Sequence, residues 1–148
     1  NAFNFKGNSI LYVCEPVKEH AKLRYGDERF FGYTEEEALK YFLDNLNIFS
    51  EPITRIIVRK HPSEQENKYS WVLKDYSELP IEIGGQVSLQ EELTSCNVVV
   101  GCESIAMVIA LIWEKKVLSC IPNEGKLCAL PHSAIMHLNK LIEQRNKL

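Results

Sequence analysis

A chain of 148 residues is long enough to bury a core and too short for two full α/β lobes, so one domain spanning residues 1–148 is expected. Apolar residues at 45% and charged residues at 25% exclude a disordered or fibrous class, and a formal charge of −3 gives no electrostatic ground for nucleic-acid binding. The densest apolar runs, around 98–100 and 105–113, are broken by Gly101, Glu103 and Glu114, well short of the roughly 20 residues needed to cross a bilayer.

Residues 9–14 read as a first strand that ends at Glu15-Pro16, where proline interrupts a hydrogen-bond ladder. Residues 17–32 mix charges, two glycines and the aromatics Tyr25, Phe30 and Phe31. That composition predicts an irregular loop segment with at most one short helical stretch, facing a ligand or another domain. Thr34 and Glu37 form a capping-box pattern with Tyr33 and Ala38 at the staple positions, and Ala38, Leu39, Phe42, Leu43 and Leu46 give the helix they open an apolar stripe. A second strand over 54–59 runs into His61-Pro62. Ser63 and Glu66 repeat the capping-box spacing and predict a short helix there.

A third strand is expected near Ile81–Ile83, and Ser88 with Glu91 caps a small helix that stops before Asn97. Val98, Val99 and Val100 then form a continuously apolar strand, the kind that a parallel sheet buries on both faces, and Gly101 marks its turn. Ser104 opens a helix in which Ile105, Val108, Ile109, Ile112 and Trp113 are expected to cover the sheet, ending near Lys115-Lys116 with cations at the favourable pole. A fifth strand over 117–121 leads to a turn with Pro122, Asn123 and Gly125. Pro131 precedes a last helix bearing Ile135, Leu138, Leu141 and Ile142 on one face. The alternation predicts an α/β fold, an open, doubly wound and mainly parallel sheet of about five strands with helices on both sides. Ligands of such folds bind at the carboxyl ends of the strands.

Five cysteines, Cys14, Cys96, Cys102, Cys120 and Cys128, are odd in number and never form C-x-x-C, so reduced thiols in the cytoplasm are the plain reading, with no metal expected. Neither G-x-G-x-x-G nor a Walker A loop is present. The informative segments are Arg59-Lys60-His61-Pro62 and Gly101-Cys102-Glu103-Ser104, each just past a strand and so expected on one rim. Ser104 at a helix start can offer its hydroxyl and the free first-turn N–H groups to phosphate oxygens, and His61 can donate a ring N–H to the same anion. The bland alternatives are an N-cap for Ser104 and a scaffold role for His61. Glu103 can cap the turn, oppose a basic patch or accept from ribose hydroxyls. Arg59 and Lys60 should alternate in direction, leaving one of them on the rim. Asn123 in its turn is a further candidate contact, and no catalytic residue is assigned.

The segment I-I-V-R-K-H-P at 56–62 and the segment V-V-V-G-C-E-S-I-A at 98–106 resemble the His-Pro motif and the later serine loop of the donor-binding C-terminal domain of GT-B-type glycosyltransferases, nearest to bacterial sialyltransferase-like and capsular-polysaccharide enzymes. The run A-L-I-W-E-K-K-V-L-S at 110–119 resembles the helix-then-strand unit that follows. The resemblance implies that His61 and Ser104 contact the phosphate of a nucleotide-sugar donor in glycan or surface-polysaccharide synthesis. Glu103 stands where several sialyltransferases carry a second serine, so CMP-, UDP- and GDP-linked donors all stay open. No other cofactor is implied. The acceptor side and the catalytic acid or base belong, in that family, to an N-terminal lobe; with Asn1 an unusual start, the chain reads as excised from a longer protein, inactive in transfer by itself. Peripheral membrane association of the whole enzyme would be compatible with this. The rival readings are half of a nucleotide-sugar epimerase and a non-catalytic binding or scaffold domain.

Overall fold

A computed structural model describes residues 5–147. In chain order the elements are β1 (Ser9–Val13), α1 (Val17–Tyr25), α2 (Glu35–Leu43), β2 (Arg55–Arg59), α3 (Trp71–Asp75), β3 (Ile81–Ile83), α4 (Leu89–Thr94), β4 (Val98–Gly101), α5 (Ile105–Ile112), β5 (Lys116–Ser119), β6 (Met136–His137) and α6 (Leu138–Asn146). The strands pair in the order β3-β2-β1-β4-β5-β6, and every pair is parallel. That is the order of the doubly wound, Rossmann-like sheet, with one strand more than the sequence suggested.

The side-chain period of two explains how so thin a sheet is covered on both sides. Ile10, Tyr12, Ile56, Val58, Val98, Val100 and Leu118 point to one face, where they meet Ala38, Leu39, Phe42 and Leu43 of α2, Val72 of α3 and Leu138 and Leu141 of α6. Leu11, Val13, Ile57, Val99 and Val117 point to the other, where Leu93 of α4 and Met107 and Ala110 of α5 pack. Each fully buried aliphatic side chain of this set contributes about 1.5–3 kcal/mol. The sheet steps outward from β1 through β2 to β3, then returns to β4 on the other side of β1. With one crossover hand throughout, that reversal places the helices of the two directions on opposite faces.

Local signals account for most boundaries. Thr34 Oγ1 accepts from the Glu37 N–H at 3.2 Å while Glu37 Oε1 accepts from the Thr34 N–H at 2.9 Å, so the capping box is complete. Ser88 and Ser104 cap α4 and α5 by the side-chain bond, accepting from the Glu91 and Ala106 N–H groups.

Four expectations need correction. Residues 17–32 are not mainly irregular: nine of them form α1, which ends at Gly26 in the left-handed region (φ 73°), its N–H donating to the Lys22 carbonyl. Only Val17 and Ala21 of that helix are buried, so its apolar stripe was too thin to read. No helix starts at Ser63; the Ser63 N–H goes to the His61 ring and the next helix waits until Trp71. Ile135 belongs to a turn before β6 and packs on the α4/α5 face, whereas Leu138 and Leu141 of α6 pack on the opposite one. The face of α5 is also different: Met107 and Ala110 meet the sheet, while Ile105 and Ile112 are 69% and 74% exposed and Trp113 is 41% exposed. An eight-residue helix that is apolar all round has no polar face to fix its orientation, and the compact Ala110 permits the closest approach. Among the described residues, no helix is long and apolar enough to cross a membrane.

Candidate ligand cleft at the switch point

The reversal of strand order beside β1 parts the connections that leave β1 and β4, and in open parallel sheets this is where a crevice forms. A cleft of about 410 Å³ lies there. Val13, Pro62, Leu89, Ile105 and Ala106 give it an apolar wall, and Glu15, His20, Arg59, Lys60, His61, Glu103 and Ser104 give it a polar one. Its volume is within the range of small-molecule sites. His61 and Ser104 therefore share one rim, as their strand-end positions required.

His61 is held by its own loop. Its backbone N–H donates to Glu64 Oε1 at 2.8 Å, and its ring Nδ1 accepts from the Ser63 N–H at 3.1 Å, with Ser63 Oγ also 2.8 Å away. An Nδ1 that accepts leaves the ring proton on Nε2, so the neutral imidazole retains a donor. Glu64 is itself buried, and its second oxygen accepts from Lys68 and Tyr69, while Lys68 also bridges to buried Glu35. Burial, with the hydrogen bond to the Glu64 carboxylate behind it, pushes the Tyr69 hydroxyl far above its usual range, which keeps it a donor.

Ser104 Oγ accepts from the Ala106 N–H at 3.1 Å, the N-cap bond, and leaves the hydroxyl hydrogen available. The capping role and a ligand role are thus compatible. In the first turn of α5 the Ala106 and Met107 N–H groups are taken by Ser104, and the Ile105 N–H is the one left to meet an anion at the positive end of the helix.

The remaining candidates divide. Arg59 and Lys60 both line the cleft, contrary to the strict alternation expected of a strand that continues. Arg59 is committed, its Nη1 lying 2.7 Å from Glu92 Oε1 and 2.9 Å from the Val87 carbonyl oxygen. Lys60 is the looser cation, 3.8 Å from the exposed carboxylate of Glu66. Glu103 is a clamp: Oε1 meets Lys126 Nζ at 2.6 Å, Oε2 accepts from the Ala129 N–H at 2.8 Å, and its own N–H donates to Glu15 Oε1 at 2.6 Å. Lys126 thereby offsets the carboxylate that would otherwise face an anion. Gly101 does not line the cleft; a Cβ there would stand 2.9 Å from Val13 Cγ2 and 3.1 Å from Met107 Sδ, so it serves the packing of α5 against β1. Asn123 lies in a separate depression of about 260 Å³ with Ser119, His137 and Lys140, and is not brought to His61.

Two cleft residues had no motif to announce them. His20, from α1, puts its ring 6.4 Å from that of His61 at 86°. Glu15 follows β1 directly, and a strand-end carboxylate beside the switch point was the available signal. It also lines a second hollow of about 270 Å³, shared with His20 and Glu103 and walled by Tyr25, Phe31, Arg24 and Lys126. Cys14, Cys96, Cys102 and Cys120 are buried, and burial raises the thiols of Cys14 and Cys96, as it does that of Cys102 after the neighbouring Cys120. Among the described residues, no three His, Cys, Asp or Glu side chains converge as a metal-ligand set. The chain matches no family model, and neither the curated proteins nor the solved structures compared with it give a match.

Proposed function

We propose that the switch-point cleft binds the phosphate of a nucleotide-sugar donor and that the domain is the donor-holding part of a GT-B-type glycosyltransferase. The observation that carries this reading is the placement of His61 and Ser104 in one cleft at a helix start, supported by the resemblance of the two segments that hold them. His61 Nε2–H, the Ser104 hydroxyl and the Ile105 N–H at the start of α5 are donors suited to phosphate oxygens, and Lys60 adds a positive field. The apolar wall of Val13, Leu89 and Ile105 suits the less polar part of such a ligand.

In transfer, the bond from the anomeric carbon to the phosphate oxygen breaks and negative charge grows on the departing nucleotide. Donors already aimed at that oxygen stabilise the charge without reorganising, the electrostatic form of catalysis. The acceptor and its base come from a second lobe, and the domain works in the cytoplasm, where buried thiols such as Cys14 and Cys102 stay reduced. Amide chemical-shift mapping with CMP-, UDP- and GDP-linked sugars tests the reading. One of the three should perturb residues 59–62 and 103–107 together; perturbation confined to the Asn123 depression would place the ligand elsewhere and refute it.

A further inference from the structure

Most of the buried or half-buried carboxylates near the cleft have a cation. Glu35 and Glu64 share Lys68, Glu92 has Arg59 and Glu103 has Lys126. Glu15 has none among the described residues. Around it stand His20 and Arg24 from α1, Arg59, Lys60, His61 and Glu64 from β2 and the loop after it, and Glu103 from the β4–α5 turn. Lys126 comes from the connection after β5, and the Tyr33 hydroxyl and the Cys102 thiol complete the surroundings. Lys126, Arg59 and Lys60 are directed to Glu103, Glu92 and Glu66, and Arg24 is exposed.

One carboxyl oxygen of Glu15, Oε1, is occupied by the Glu103 N–H. The other meets no donor among the described residues, and because no buried side-chain oxygen there lacks a partner, it is not sealed from solvent; Glu15 lines both the cleft and the neighbouring hollow. An ionised carboxylate in that position would repel an anion seated on His61 and Ser104. A neutral one would donate to it.

We propose that Glu15 is a ligand-binding acid of the cleft: as the neutral carboxyl it donates a hydrogen bond from its free oxygen to an anionic oxygen of the bound group, so binding to a chain whose Glu15 is ionised takes up a proton from solvent. The inference rests on the reading that the ligand of this cleft is anionic. Burial, helped by the charges of Glu103 and Glu64 and opposed by the Glu103 N–H and Lys126, pushes the carboxyl up to about 7, so the neutral acid is present near neutral pH. A bound anion raises it further, by the reciprocity of linkage.

Sulfate, a dianion over the whole range used, is the probe, titrated into the full chain near pH 5.5 and near pH 8.5 and followed by the amide shifts of His61 and Ser104. If only the neutral acid binds, the weakening between the two pH values should be up to about thirtyfold greater for the native chain than for Glu15→Gln, whose amide cannot ionise. The comparison with Glu15→Gln subtracts any pH dependence that does not come from Glu15. In the native chain alone, saturating sulfate should raise the midpoint of the Glu15 carboxyl carbon titration, a readout that needs no variant to fold. An unchanged midpoint with sulfate bound, or equal pH dependence in Glu15→Gln, overturns the proposal. If sulfate behaves as expected while CMP-, UDP- and GDP-linked sugars all fail to bind, the acid stands and the nucleotide-sugar reading falls; if sulfate does not bind even near pH 5.5, the anion site and Glu15 as its acid are both overturned.

Discussion

Glu64 Oε1 accepts the backbone N–H of His61 at 2.8 Å, and the other oxygen of the same buried carboxylate is held by Lys68 and Tyr69. The orientation of a cleft imidazole therefore depends on a polar network beneath it, and that network has one cation, Lys68, between two buried carboxylates, Glu35 and Glu64.

Lys68→Met should destabilise the fold by about 3–5 kcal/mol near neutral pH, because it leaves two carboxylates buried together without a counter-charge. Urea unfolding measures it. A loss below about 1 kcal/mol would mean that the network is solvated and does not anchor the His61 loop.

Gly101→Ala and Gly84→Ala should each cost about 1–3 kcal/mol by forcing packed groups apart. A Cβ on Gly101 meets Val13 and Met107, and one on Gly84 stands 2.4 Å from both Glu92 Oε2 and Ile57 Cγ2. Denaturant midpoints decide this, and unchanged midpoints would show that β1, α5 and Glu92 can yield without loss.

The architecture was legible where local chemistry and period agreed. Val98–Gly101 is apolar without interruption and Thr34 with Glu37 names a helix start, so the parallel sheet and α2 followed from short patterns. Where the pattern carried no orientation it misled: α5 is apolar on every side, and α1 shows only Val17 and Ala21 to the core. In the cleft, position after a strand was enough to bring His61 and Ser104 together. The partners of Arg59 and Glu103 were not legible, because Glu92 and Lys126 lie 33 and 23 positions away and meet them only through the fold.

Glu15 should make stability fall as pH rises. Its carboxyl titrates about 7 in the folded chain against 4.5 for an ordinary glutamate, so between these values the folded state holds more proton than the unfolded one. Stability should decline through that window and level off above it, by on the order of 3 kcal/mol from this group. The Glu15→Gln chain should lack this component of the decline. Thermal unfolding over pH 4 to 8 compares the two, and parallel curves would refute the assignment.

Ile112→Lys should change stability by no more than about 0.5 kcal/mol, since Ile112 is largely exposed and Met107 and Ala110 form the buried face of α5. A larger loss in thermal unfolding would mean that the helix packs through the face the sequence pattern first suggested.

The central claim is that His61 and Ser104 hold one anionic group of a nucleotide sugar. Calorimetric titration of the best-bound CMP-, UDP- or GDP-linked sugar against the native chain, His61→Ala and Ser104→Ala tests it most directly. Each variant should remain folded and lose about 1.5–3 kcal/mol of binding, roughly tenfold or more in affinity, as expected for one hydrogen bond to a charged group. Full affinity in both folded variants would contradict the account.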